Sequence, residues 1–146
     1  MFAITTLAND TDTEATSSTW EQLSPAWSEV SQKVIDLVGT DHQKILADLS
    51  YAIVVGDMCQ NLELDRIKFQ QTFDEHFGDS SYPSSPAAKT MDVMRYGQTV
   101  SLFFGVYVGM LTATGMMERD SFCGAAEQMQ ADGEGRFWLT QQAQAQ

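Results

Sequence analysis

Apolar residues recur at three- and four-residue steps through most of the chain, and polar interruptions mark where helices begin and end. Thr19 stands as an N-cap with Gln22 three positions on, the spacing of a capping box. Trp20, Leu23, Trp27, Val30, Val34, Leu37 and Val38 then follow along one face to Gly39, which predicts a first amphipathic helix. Pro25 fits it only within the first turn or two. Asp41 marks the start of a second helix, lined by Ile45, Leu49, Ala52, Ile53 and Gly56 and ending near Met58 or Cys59. Leu62 and Leu64 form a short apolar connector. Asp65 caps a third helix in which Phe69, Phe73 and Phe77 repeat every four residues, so their rings share one stripe until Gly78 ends it.

Residues 79–87 combine Pro83, Pro86 and a run of serines, the composition of a loop. Ser85 and Pro86 suit the N-cap and first position of a fourth helix, which the pattern carries to about Thr114 with Gly115 as its C-cap. From Tyr96 to Met117 this segment holds no formal charge, and Ser101, Gly105 and Gly109 recur at four-residue steps. Asp120 opens a fifth helix through Phe122, Cys123, Ala126 and Met129, which Asp132 to Gly135 breaks. Phe137, Trp138 and Leu139 make a short apolar latch. No stretch alternates with a period of two for long enough to demand a sheet. The expected fold is all-α, a single-domain bundle of about five helices around a buried apolar helix at about 86–114. A flexible acidic arm (1–18) precedes the helical domain (19–140), and a polar tail (141–146) follows it.

The uncharged segment is long enough to cross a bilayer. Gln98, Thr99, Ser101, Thr112 and Thr114 interrupt it, no basic cluster flanks it, and Glu118 and Asp120 follow directly. It is therefore expected as a core helix rather than a membrane span, with Ser101, Gly105 and Gly109 admitting another helix at close range.

Charge narrows the functional classes. Twenty acids against eight bases give the 146-residue chain a net charge of −12, which argues against binding a nucleic-acid backbone or an anionic membrane. Met1 to Ala8 lacks the basic start and apolar length of a secretory signal. The two cysteines, Cys59 at the end of the second helix and Cys123 at the start of the fifth, meet if both helices pack on the central one. Such a disulfide would add roughly 4 kcal/mol in the chain-entropy account and favour a periplasmic or secreted location. Two buried thiols would instead fit the cytoplasm.

Catalytic signatures are missing from the sequence: it has no nucleophile elbow, no glycine-rich phosphate loop and no cysteine knuckle. His76 and Asp79 could offer two ligands to a divalent ion, though a solvated helix end explains them equally. His42 has no partner at helical spacing. Asp10, Asp12, Glu14 and Glu21 fall at calcium-loop spacings, but Ala15 occupies the glycine position. No catalytic residue, metal or cofactor is assigned. The aromatic and methionine residues, Trp20, Trp27, Trp138, the phenylalanine stripe, Met91, Met94, Met110, Met116 and Met117, suit a core, with room for a groove beside the third helix and the 79–87 loop.

The expected function is non-enzymatic binding of another protein, as an inhibitor, immunity, accessory or chaperone-like factor. Asp57, Glu63, Asp65, Asp74 and Glu75 on the second and third helices are the acids expected to meet a basic partner surface. Two alternatives stand beside it: a polyanion mimic that occupies a nucleic-acid-binding protein, and an apolar-ligand carrier or membrane-complex subunit built on the 96–117 helix.

Overall fold

The computed structural model describes residues 18–78 and 85–139. The 141–146 tail, the centre of the 79–87 loop, Asp79 with it, and the arm up to Ser17, with the calcium-loop acids Asp10, Asp12 and Glu14, lie outside these residues. Among the described residues the fold is the expected helical bundle, in six helices: α1 (Thr19–Val38), α2 (Thr40–Met58), α3 (Arg66–Phe77), α4 (Pro86–Lys89), α5 (Val93–Met117) and α6 (Arg119–Ala131). α5 packs most extensively on α2 and also on α1 and α6, while α3 and α6 lean on α2 and α4 sits on α1.

Local chemistry sets the helix ends. Ser18, one residue before the expected cap, accepts from the Glu21 amide at 3.0 Å. Pro25 removes the amide that would bond the Glu21 carbonyl, and the Ser24 hydroxyl donates to that carbonyl instead at 3.3 Å. The α1–α2 corner turns on Gly39 rather than Asp41. With φ of 88°, Gly39 donates to the Ile35 carbonyl at 2.8 Å and accepts from the Gln43 amide at 3.0 Å, closing one helix and opening the next. Asp65 caps α3 through the Lys68 amide, and Ser85 caps α4 through the Ala88 amide, both as expected.

The long fourth helix of the sequence pattern is two helices. Thr90 turns its hydroxyl back to the Ala87 carbonyl at 2.8 Å, and Asp92 accepts from the Arg95 amide at 2.7 Å, so a new N-cap starts α5 at Val93. At its other end α5 continues past Gly115 to Met117. Gly115 is buried inside the helix, where an added Cβ would lie 2.7 Å from Met58 Sδ and 3.2 Å from Phe122 Cδ1.

A second correction concerns how α5 is covered. Tyr96, Val100, Tyr107 and Leu111 form its buried arc. Only 28% of its most apolar 18-residue window is buried, although the helix is long and apolar enough to cross a membrane. Ser101, Gly105 and Gly109 face outward, and nothing lies within 4 Å of a Cβ built on either glycine. Small residues at four-residue steps define a bare helix surface, and in this chain α1 and α2 cover the opposite arc.

The core is aliphatic and aromatic: Val34 and Leu37 of α1, Leu46, Leu49 and Val55 of α2, Val100 and Leu111 of α5, and Phe122 of α6. Its centre is polar. The Tyr107 hydroxyl, fully buried, lies 2.7 Å from Ser31 Oγ and accepts from Gln43 Nε2 at 3.0 Å. Trp27 packs on the Tyr107 ring at 4.3 Å and Trp20 on Trp27 at 5.1 Å. Among the described residues no buried side-chain nitrogen or oxygen lacks a hydrogen-bond partner.

Cys59 and Cys123 form a disulfide that joins the end of α2 to α6. The Arg119 guanidinium donates to the Met58 carbonyl at 2.6 Å beside it. The latch closes the bundle. Trp138 is buried, its indole N–H donates to the Ala52 carbonyl at 3.1 Å, and its backbone pairs antiparallel with Leu64.

Two expectations follow. Gly109→Ala raises stability by up to about 1 kcal/mol through helix propensity, whereas Gly115→Leu lowers it by about 1–3 kcal/mol through overpacking; urea unfolding of both variants checks this. Tyr107→Phe costs roughly 1–2 kcal/mol, because the Gln43 amide loses its closer acceptor. Its urea unfolding moves to a lower midpoint with an unchanged slope.

Candidate functional site

α2 ends at Met58, and the chain then turns back against it. Leu62 is buried, and Leu64 comes so close to α2 that a Cβ at Gly56 would stand 3.0 Å from Leu64 Cβ. Two backbone bonds hold this connector to the latch: Asp65 N–H to the Phe137 carbonyl and Leu139 N–H to the Glu63 carbonyl, each 2.8 Å. From that anchor α3 runs outward, and its phenylalanine stripe meets α5 edge-on. Phe73 lies 5.7 Å from Phe104 and Phe69 6.2 Å, measured between ring centres. Phe77 is buried, but Phe69 and Phe73 remain partly open.

The space left between α2, the connector, α3 and α5 is a groove of about 780 Å³. Ile53, Leu64, Phe69, Phe73, Phe104 and Val108 give it an apolar lining. Asp57 from the last turn of α2, Glu63 from the connector and Asp74 from α3 stand along it, with Arg66 as the single basic residue. Three carboxylates against one guanidinium leave the lining net negative over an aromatic floor. A groove of this build can seat an apolar anchor and hold a cation near its edge.

The structure thus brings together three of the five acids expected at a partner surface. Asp65 instead spends its side chain on the Lys68 amide, a structural role, and exposed Glu75 is not among the lining residues. Among the described residues the groove is lined from α2, the connector, α3 and α5, and the centre of the 79–87 loop lies outside them. Phe104, Val108 and Thr112 complete the lining from α5. Periodicity did not single them out, because a helix covered on every side leaves none of its residues to line an open groove. The other expected pocket residues separate: Trp27 packs on Tyr107 and Trp20 on Trp27, Trp138 belongs to the latch, and Met94, Met116 and Met117 are exposed.

The two histidines, distant in sequence, stack edge to face at 5.3 Å across the α2–α3 contact, with His42 also 5.9 Å from Phe77. Among the described residues no group of three or more His, Cys, Asp or Glu could hold a metal ion. A smaller cleft of about 100 Å³ lies under the latch, lined by residues including Asp48, Tyr51, Met129 and Arg136. Burial raises the Tyr51 hydroxyl above its ordinary value. Burial likewise raises the Asp48 carboxyl, while the Arg136 guanidinium pulls it down less strongly.

No protein family matches this chain, and neither curated proteins nor solved structures show a match to it.

Asp48 binds its proton to higher pH folded than unfolded. The stability it contributes is therefore complete below its ordinary value of 3.8 and is lost as pH rises through the raised value. Asp48→Asn removes that loss, so the variant gains stability relative to the parent as pH rises across this window. The gain is small, since the side chain stays open to water on one side. Urea midpoints of both proteins across the acidic range check the sign.

Proposed function

We propose that this chain is a non-enzymatic binding protein whose groove between α2, α3 and α5 takes an apolar segment of a protein partner with a basic flank. One observation carries the proposal: Phe69, Phe73 and Phe104 lie open in the same groove that Asp57, Glu63 and Asp74 edge. Aromatic residues left partly exposed at an interior-like site mark a recognition surface, because burying them on association is favourable and they lose little conformational freedom. The carboxylates contribute orientation and association rate, and they disfavour acidic partners. An amphipathic helix with apolar anchors on one face and Lys or Arg beside them meets both demands.

The aromatic floor favours this role over polyanion mimicry, which calls for carboxylates spaced like phosphates without apolar anchors between them. The Cys59–Cys123 disulfide is compatible with an oxidising compartment, and within that class a periplasmic or secreted location is the one we propose. Inhibitor, immunity and accessory roles all use a surface of this kind.

Fluorescence anisotropy with two synthetic amphipathic helices of equal length, one leucine–lysine and one leucine–glutamate, tests the proposal. The lysine peptide binds and the glutamate peptide does not, and added salt weakens the complex. Neutralising the rim with Asp57→Asn, Glu63→Gln and Asp74→Asn together weakens binding roughly tenfold, from three partly exposed ion pairs, without lowering the unfolding midpoint. Equal binding of both peptides, or binding indifferent to the rim substitutions, overturns it.

A further inference from the structure

The outer face of α5 is a second surface that the groove does not explain. The helix has 25 residues, a length of about 37 Å, and no charge between Arg95 and Glu118 in a chain of net charge −12. Met94, Leu102 and Met116 are 74%, 65% and 70% exposed on this face. Between them Ser101, Gly105 and Gly109 leave the backbone bare, with open space above both glycines. Met94 and Met116 stand at the two ends of this face and Leu102 beside its middle, with the small residues between them.

We infer that this face pairs with a second copy of the chain, the two α5 helices crossing antiparallel with the two-fold axis at Gly105. Charge is the first ground. Two copies of a strongly acidic molecule repel wherever carboxylates oppose one another, and this uncharged strip lets them meet without that cost. Sequence symmetry is the second. Gly105 is the midpoint of Val93–Met117, and a two-fold axis there sets Ser101 against Gly109, Gln98 against Thr112, and Met94 against Met116. An isologous interface must be self-complementary in this way: small residues meet at the crossing, a pair of polar side chains lies on either side, and methionines close the ends. The third ground is electrostatic direction. Antiparallel pairing puts the positive N-terminal end of each α5 beside the negative C-terminal end of the other, whereas parallel pairing sets like ends together.

A lipid surface is the less suitable occupant. Glycine and serine at the centre give a membrane little apolar area, and the ends of the helix carry Asp92, Glu118 and Asp120 rather than the Lys and Arg that hold a helix at an anionic interface. The face of one helix is smaller than the roughly 800 Å² per partner of a standard stable interface. The dimer is accordingly weak and depends on concentration.

Sedimentation velocity over a wide concentration series, on the intact oxidised chain, tests this. The parent shifts from monomer to dimer with rising concentration. Gly105→Glu, at a position with room for any side chain, stays monomeric at every concentration while keeping the parent's circular dichroism. Both native cysteines are in the disulfide, so a cysteine introduced on the face reports geometry. Gly105→Cys forms a covalent dimer under mild oxidation, and Gln98→Cys does not unless Thr112→Cys is added. A parent that is monomeric throughout, a dimer that survives Gly105→Glu, or efficient cross-linking by Gln98→Cys alone overturns the proposal. So does a monomer that sediments with phosphatidylcholine vesicles and loses that property in Gly105→Glu, which reassigns the face to lipid.

Discussion

The bundle is organised around one hydroxyl. Tyr107 carries it into the centre of the α1–α2–α5 contact, where no water reaches, and a hydroxyl buried without partners there would cost stability. Ser31 of α1 and Gln43 of α2 supply the partners, and Gln43 also reaches Ser31 Oγ at 3.3 Å. Apolar contacts tolerate sliding and rotation, since burial of area has no direction. The hydrogen-bonded triangle does not tolerate them. Turning α2 by one residue would swing Gln43 about 100° away from Tyr107, so the triangle selects one register for three helices. The indoles of Trp27 and Trp20 then cover the site from the α1 side.

Once α2 is fixed in register, the groove follows from how the chain leaves it. The disulfide secures the end of α2 to α6, and bare backbone at Gly56 lets the returning connector lie flat on the helix. Trp138 ties that connector to α2, pairing with Leu64 on one side and donating to the Ala52 carbonyl on the other. These constraints act at the start of α3. Further along, α3 is held by ring edges: Phe73 against Phe104, Phe77 against His42, and His76 against His42. Edge contacts bury less of a ring than full interdigitation, and the groove is the area left over.

Helix starts were legible in the sequence wherever a side chain caps its own backbone, because that bond is local. Asp65 and Ser85 act as their positions imply, and the α1 cap is displaced by one residue to Ser18. Thr90 and Asp92 hold the same kind of signal, and it was overridden by the apolar pattern that continues on both sides of them. The cysteine pair was legible because few segments could flank one central helix. The direction faced by Ser101, Gly105 and Gly109 was not. Small residues at helical spacing state that a surface is bare, but which arc of α5 is covered depends on where α1 and α2 dock, a matter settled at Tyr107. The groove was half legible for a similar reason. Asp57, Glu63 and Asp74 stood out by charge, but they come from three elements, and only the turn after Cys59 brings them together.

α5 therefore does three different things at three angles around one axis. Its arc of Tyr96, Val100, Tyr107 and Leu111 is the spine of the core. A neighbouring arc, Phe104 and Val108, walls the groove, with Thr112 at the boundary. The outer arc carries Ser101, Gly105 and Gly109 in the open. The core and groove arcs call for apolar side chains and the pairing proposed for the outer arc calls for uncharged ones, so the segment from Tyr96 to Met117 resembles a fully buried helix in composition although most of it is not buried. Composition records the sum over the arcs, and the side-chain sizes differ between them: large rings inward and toward the groove, and outward glycine and serine between Met94, Leu102 and Met116. A charge introduced on the groove arc would act on the edge held by Asp57 and Asp74. On the outer arc it would act on the bare strip alone, so the two surfaces can change separately while the core arc holds both in place.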